Sequence, residues 1–342
     1  MNPVFIIGTE RSGTNLLRLI LNAHPDIAVP HPPHIVKLFT PLAPLYGDLS
    51  SDDNFRRLIV DVCRMVELHT YPWEIRPDPE RVFREAVARE LICIYFAIYD
   101  QYLEYTGKKR WCCKSTFMID HVADILRFHP DARFIFMVRD GRDVAVSAKS
   151  SIFNHYHVFY SARRWQREQR LGLEWLKKLP HDQIMLLKYE ELTAAPVTTV
   201  KKLCAFLDLP YSDNMLEYHR FNEAKKSGAL SISWKNTSKP VIPGNQGKFH
   251  RLLTEREVLQ FEATALHELQ ELGYETVNQP EYLLQVRESL SIEHASYRLK
   301  DFFMKLKAET MHLFRDSNSS ARIMKNLYMA YLKNLRKLTP SS

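Results

Sequence analysis

The segment Gly8-Thr9-Glu10-Arg11-Ser12-Gly13-Thr14-Asn15 lies between two apolar runs, Val4-Phe5-Ile6-Ile7 and Leu16-Leu17-Arg18-Leu19-Ile20-Leu21. Glycines at such a junction let backbone N–H groups converge on an anion, and the N-terminus of the following helix adds the positive end of its dipole. The Gly-x4-Gly spacing is that of a Walker A loop, but Thr14 and Asn15 stand where the Walker lysine and its Ser/Thr would be. Without that lysine and the magnesium-binding hydroxyl, ordinary kinase or ATPase chemistry is disfavoured. A terminal phosphate can still be held by backbone, hydroxyl and Arg11. The plain alternative is a strand–Gly–helix turn that binds nothing.

A second junction carries Arg139 at the end of Arg133-Phe134-Ile135-Phe136-Met137-Val138, with Ser147 eight residues later in a helix starting near Arg142. A guanidinium fork makes bidentate contacts to phosphate, and a hydroxyl at a helix start adds another. Arg139 alone would read equally well as an ion pair with Asp140 or Asp143.

Taken in order, "IIGTERSGTNLLRLILNAHPDI" and "FIFMVRDGRDVAVS" resemble the two signatures of sulfotransferases that use 3′-phosphoadenosine 5′-phosphosulfate (PAPS), over roughly residues 4–275. The resemblance implies that Arg11, Ser12, Gly13, Thr14 and Asn15 hold the 5′-phosphosulfate and that Arg139 and Ser147 hold the 3′-phosphate. It implies three further residues. "CCKSTFMIDHVADILRFHPDARF" is similar to the segment with a catalytic lysine, pointing to Lys114. "LLKYEEL" resembles the strand with an aromatic residue near the adenine, pointing to Tyr189. "GNQGKFHRLLTEREV" resembles a late loop that brings a basic residue to the 3′-phosphate, pointing to Lys248. The implied reaction moves a sulfuryl group from PAPS to a hydroxyl or amine of an acceptor (carbohydrate, lipid, small molecule or peptide) and releases 3′,5′-ADP. Arg11 and Lys114 would offset the charge that builds on the bridge oxygen and equatorial oxygens. A sulfuryl group carries less charge than a phosphoryl group, so no metal is expected.

Many relatives place a glutamate base, and others a histidine, shortly after the first helix. Here the stretch reads "HPDIAVPHPPHIVKLF", and Pro32 falls at the expected glutamate. His34 and His31 remain as proton acceptors, since imidazole titrates near neutral pH. Both can also be loop histidines without a role, and Glu10 is a further candidate. Two rival readings stay open: a P-loop kinase-like phosphotransferase, which needs the missing lysine, and a catalytically degenerate nucleotide-binding protein, which the missing glutamate favours.

These residues need elements to hold them. The β-branched run ending at Gly8, the run from Arg133 and a third, Ile184-Met185-Leu186-Leu187-Lys188, read as buried parallel strands. Helical patterns fill residues 54–70, 80–105, 196–207 and 255–272, and alternation of strand and helix predicts an α/β fold with a P-loop-type parallel sheet flanked by helices. Residues 225–250 are polar and read as a long loop. Beyond residue 280 only helices are expected, with a break at 316–320, so the chain divides into a catalytic domain, residues 1–278, and an α-helical C-terminal extension, residues 279–342.

The net charge is +7, and from residue 317 onward Arg322, Lys325, Lys333, Arg336 and Lys337 face no acid. With the excess in the tail, a broad nucleic-acid-binding face on the body is not expected. Ile323, Leu327, Tyr331, Leu335 and Leu338 recur at helical spacing among those bases. Such a helix can lie on an anionic membrane surface, or pack on the body or on a dimer partner; packing is the preferred reading. Five cysteines without CxxC spacing argue against a disulfide framework or a zinc site. Met1 runs almost at once into the first strand, so no secretory signal is expected and the cytoplasm is the expected location.

Overall fold

A computed structural model describes residues 2–149, 151, 156–292 and 294–338. In chain order the elements are β1 (Val4–Gly8), α1 (Thr14–Asn22), β2 (Ile27–Ala28), α2 (Ile35–Phe39), α3 (Asp52–Glu67), α4 (Pro79–Glu85), α5 (Leu91–Thr106), β3 (Arg110–Cys113), α6 (Val122–Phe128) and β4 (Arg133–Val138). Then follow α7 (Gly141–Ala148), α8 (Val158–Lys178), β5 (Ile184–Lys188), α9 (Tyr189–Ala194), α10 (Pro196–Phe206), α11 (Asn222–Leu230), α12 (Phe249–Leu252) and α13 (Glu255–Glu271). The chain closes with α14 (Pro280–Ile292), α15 (His294–Arg315) and α16 (Ser319–Leu338).

The five strands form one parallel sheet in the order β2-β3-β1-β4-β5. Both its faces are covered, which is why β1 and β4 read as unbroken apolar runs. Phe5, Ile7, Phe134 and Phe136 face the core shared with α3, α5, α8 and α13. Val4, Ile6, Ile135 and Met137 face the opposite core, built by α1, α9 and α10. Helices after β1 run to one side of the sheet and helices after β4 to the other. The crevice beyond the carboxyl ends of β1 and β4 is therefore the topological switch point, where open α/β sheets bind ligands.

The α/β expectation holds, and the departures have local causes. Two strands escape the pattern: β2 has only two residues, and β3 is Arg-Trp-Cys-Cys, whose cation donates to the Leu207 carbonyl at 2.8 Å. The helical pattern over residues 80–105 is two helices. Ala86 turns extended after α4, and Glu90, also extended, opens α5. The polar stretch from residue 225 is not a bare loop. It holds most of α11 and a 3₁₀ turn at Ile232–Ser238. Buried Arg18 on α1 pins α11 through Glu223 (2.6 Å) and the Ser227 hydroxyl (2.9 Å). Asp316, between α15 and α16, accepts from the Ser231 hydroxyl and the Ile232 N–H at 3.0 Å each.

The C-terminal helices pack on the body, with a face other than the one the apolar spacing suggests. Arg336 pairs with Asp61 of α3 at 2.6 Å, and Leu332 is buried. Ile323, Leu327 and Tyr331 are exposed, and Leu335 is partly buried; the Leu338 side chain lies outside the described residues. Among the described residues no helix is long and apolar enough to cross a membrane.

Candidate active site

The turn from β1 into α1 depends on two glycines. Gly8 has φ +132°, and a Cβ there would lie 2.2 Å from the Met137 carbonyl oxygen of β4. Gly13 caps α1 with φ +87°, and a Cβ there would meet the Tyr189 ring at 2.3 Å. Arg11 also sits in the left-handed region, φ 73°, a conformation that costs a non-glycine residue about 1–3 kcal/mol and is kept where the surroundings demand it. The N-terminus of α1 thereby opens on the crevice. Arg11, Gly13, Thr14 and Asn15 line it, whereas Ser12 is buried off its wall with an unpartnered hydroxyl. Asn15 accepts from Arg18 at 2.9 Å, which leaves its Nδ2 unpartnered.

Arg139, at the β4–α7 junction, and Ser147 reach the same place, but Ser147 lies in the last turn of α7 and not at the helix start that the sequence suggested, because α7 spans only Gly141–Ala148. Arg139 Nη1 donates to the Arg11 carbonyl at 3.3 Å and Nη2 to the Asn245 carbonyl at 3.0 Å, while its Nε has no partner. Its contact with Asp143 is long, 3.4 Å, and Asp140 belongs to Arg142 instead. The expected ion pair is thus present but weak. The Arg139 guanidinium stacks 4.4 Å from the Tyr189 ring centroid. Ser147 accepts from Arg11 Nε at 3.0 Å. Tyr189 opens α9 and is buried under Gly13; its hydroxyl accepts from Asn245 at 2.5 Å. Lys248 caps α12 and lines the crevice.

Lys114 follows β3 at the other end of the cavity. Burial, reinforced by the charge of Arg18, pushes its ammonium down to about 8, against an opposing pull from Glu10. Burial also lowers Arg11 to about 10, still fully charged at neutral pH. His34 caps α2 in a left-handed conformation, φ 57°, and its Nδ1 meets the Ser115 hydroxyl at 3.0 Å. Burial first, then Lys114 and Lys37, hold His34 well below the usual imidazole range, so it is neutral at pH 7. His34 also lines the cavity.

His31 is stacked on Tyr71 with centroids 5.1 Å apart, and neither ring nitrogen has a partner. It too is held neutral, mainly by burial. Glu10 lines the wall but is engaged by Arg164 at 3.1 Å. Pro32 is buried between the two histidines.

One cavity of about 670 Å³ joins the site residues expected from the sequence, with Ser12 the exception. It also shows what sequence reasoning missed. His69, which burial lowers to about 3, stands beside His31 with 5.2 Å between ring centroids. Trp234 and Asn245 come from the polar stretch, and Arg315, Asn318, Arg322 and Lys325 from the C-terminal helices. No spacing linked these to the loop. Among the described residues, eight cationic side chains line the cavity against two carboxylates, Glu10 and Asp143. Such a concave, cationic site with unpartnered buried donors suits a multiply charged phosphate ester.

Comparison with known proteins agrees with that chemistry. The Sulfotransferase family matches residues 3–213. Over 295 residues the chain is 24% identical to "Protein-tyrosine sulfotransferase" of Drosophila melanogaster, covering 82% of this chain and 54% of that protein. It is 25% identical to "Protein-tyrosine sulfotransferase 1" of Homo sapiens, covering 82% and 72%. The chain thus spans about half the length of the fly relative. In fold it is similar to the sulfotransferase domain from the Synechococcus PCC 7002 olefin synthase, with a TM-score of 0.55 at 18% identity over 80% of this chain and 96% of that one.

Proposed function

This chain belongs to the sulfotransferase family, and from that premise we propose that it transfers the sulfuryl group of PAPS to a hydroxyl or amine, releasing 3′,5′-ADP. The observation that carries the reading is the meeting of two βα junctions at one switch point: the Gly13 loop after β1, and Arg139 with Ser147 after β4, bonded to it through Arg11. A phosphate-binding loop without a Walker lysine, joined to a second cationic junction, fits a nucleotide with phosphates at both its 5′ and 3′ positions. The unpartnered Asn15 Nδ2 and Arg139 Nε are donors such a ligand would satisfy.

In this reading Arg11, Thr14, Asn15 and the α1 amides take the 5′-phosphosulfate; Arg139, Ser147 and Lys248 take the 3′-phosphate. Ser12 supports the loop from beneath. Tyr189 supports Gly13 and Arg139 and borders the base. The acceptor oxygen attacks sulfur as the bond from sulfur to the bridging oxygen breaks. Its proton passes to neutral His34, and the electron pair leaves with the phosphate of 3′,5′-ADP. Lys114 and Arg11 stabilise the developing charge, an effect typically worth about 3 kcal/mol per preorganised donor. His31 orients the acceptor. We further place the protein in a reducing compartment, the cytoplasm, since all five cysteines are free and buried. The exposed stripe of Ile323, Leu327 and Tyr331 is open to a membrane surface or a second copy. Residues 1–278 form the catalytic unit of this reading and residues 279–342 an appended one.

The test is transfer of labelled sulfate from PAPS into a metabolite panel, read by mass spectrometry. Product that appears with PAPS and not with ATP and magnesium supports the reading. Phosphorylated product with ATP overturns it.

A further inference from the structure

The family match ends at residue 213, yet five residues beyond 310 stand on the cavity wall: Met311, Arg315, Asn318, Arg322 and Lys325. They come from the end of α15, the turn after it and the first half of α16. Asp316 fixes that turn. It accepts from the Ser231 hydroxyl and the Ile232 amide, and it holds His312 at 2.8 Å and Arg322 at 3.1 Å. Two residues on from Ser231, the Ser233 carbonyl accepts from Arg11 at 3.3 Å. The extension is thereby tied to the phosphate loop through one short segment.

Lys325 is the group this arrangement leaves over. Its neighbours in charge are Lys37 and Arg322, both cations, and no carboxylate pairs with it among the described residues. It stands close enough to His34 and His69 for its charge to depress both. It therefore lies at the histidine end of the cavity, whereas Arg139 and Lys248 serve the other end. At the same end His31 is 4% exposed with two unpartnered ring nitrogens. A half-buried ammonium crowded by cations and facing a cavity is costly unless an anion joins it.

Building on the sulfotransferase reading, we infer that the C-terminal extension completes the acceptor subsite and that Lys325, with Arg322 beside it, binds a fixed negative charge on the acceptor. The acceptor is then a hydroxyl or amine compound bearing a carboxylate, sulfate or phosphate. The anion sits on Lys325 and the reacting group points to His34 and Lys114. Lys325 takes no part in the nucleotide contacts.

The test uses the full chain saturated with 3′,5′-ADP. Three pairs of probes are titrated calorimetrically: 4-hydroxyphenylacetate, 3-hydroxybutyrate and glucuronate, each against its neutral amide. In the wild type at least one carboxylate should bind about tenfold or more tightly than its amide, the usual effect of one charge-assisted contact. Lys325→Met should abolish that preference, Lys325→Arg should retain it, and both should keep 3′,5′-ADP affinity within about twofold. Equal affinity within every pair, or no detectable binding of any carboxylate, overturns the inference. So does a loss of 3′,5′-ADP affinity in Lys325→Met, which would give this cation to the nucleotide. Failure of the wild type to bind 3′,5′-ADP at all would instead sink the sulfotransferase reading.

Discussion

Arg11 and Ser147, 136 residues apart in the chain, meet at 3.0 Å, with the guanidinium Nε donating to the hydroxyl. One belongs to the phosphate loop after β1 and the other to the helix after β4. Each junction is therefore built partly from the other, and a ligand spanning both should couple them.

That coupling should set the nucleotide preference. We expect 3′,5′-ADP to raise the melting temperature more than 5′-ADP or ATP, with EDTA present throughout. At a hundredfold excess over Kd, linkage supplies about 2.7 kcal/mol. Equal shifts with ATP and magnesium would contradict a site built for two separated phosphates.

Arg139→Ala should weaken 3′,5′-ADP by about 2–3 kcal/mol, the scale of charge-assisted contacts, and leave 5′-ADP nearly unchanged. Because Arg139 also braces the Arg11 and Asn245 carbonyls, calorimetry on both ligands is needed. A uniform loss would mean that the bracing role dominates.

Lys114 carries a pH dependence of definite sign. Its ammonium is lowered to about 8, so raising the pH through that value removes a charge the transition state needs. The kcat/KM profile should fall on its alkaline side near pH 8, and Lys114→Ala should lower kcat far more than it weakens nucleotide binding. A flat profile from pH 7 to 9 would count against the role.

His34 works in the opposite sense. Burial and nearby cations hold it neutral down to well below pH 6.5. The limb that His34 contributes should therefore lie on the acid side, at pH values clearly below 6.5. His34→Ala should remove that limb and cost roughly 10²–10⁴-fold with a hydroxyl acceptor. His31→Ala should chiefly raise the acceptor KM. Adding Pro32→Glu to His34→Ala should restore part of the rate if Pro32 occupies the place of a glutamate base; no recovery would count against that alignment.

Gly13→Ala should lower the melting temperature and the 3′,5′-ADP affinity together. The alanine would combine φ +87° with a Cβ 2.3 Å from the Tyr189 ring, at a cost of about 1–3 kcal/mol or more. An unchanged melting temperature would show that Tyr189 yields easily and does not brace the loop.

What the sequence determined is local. Apolar runs buried on both faces mark β1, β4 and β5, and the left-handed turn at Gly13 marks where an anion fits. These follow from side-chain period and backbone sterics within a few residues, which sequence order preserves. Arg11, Thr14, Asn15 and Arg139 were legible for the same reason: each follows a strand whose carboxyl end must open on the crevice.

The tertiary structure decided the rest. β2 and β3 are too short to show a period; β3 pairs because the sheet offers β1 as a neighbour, and β2 because β3 then offers its other edge. His69, Trp234 and Lys325 reach one cavity from segments 69, 234 and 325 residues along the chain, and no periodicity encodes that meeting. The tail's apolar spacing named a face that stays in solvent. Burial instead follows the ion pair of Arg336 with Asp61 and the polar knot around Asp316. Such contacts between distant polar groups have no local signature, because their free energy arises only once the body has formed and excluded water around them.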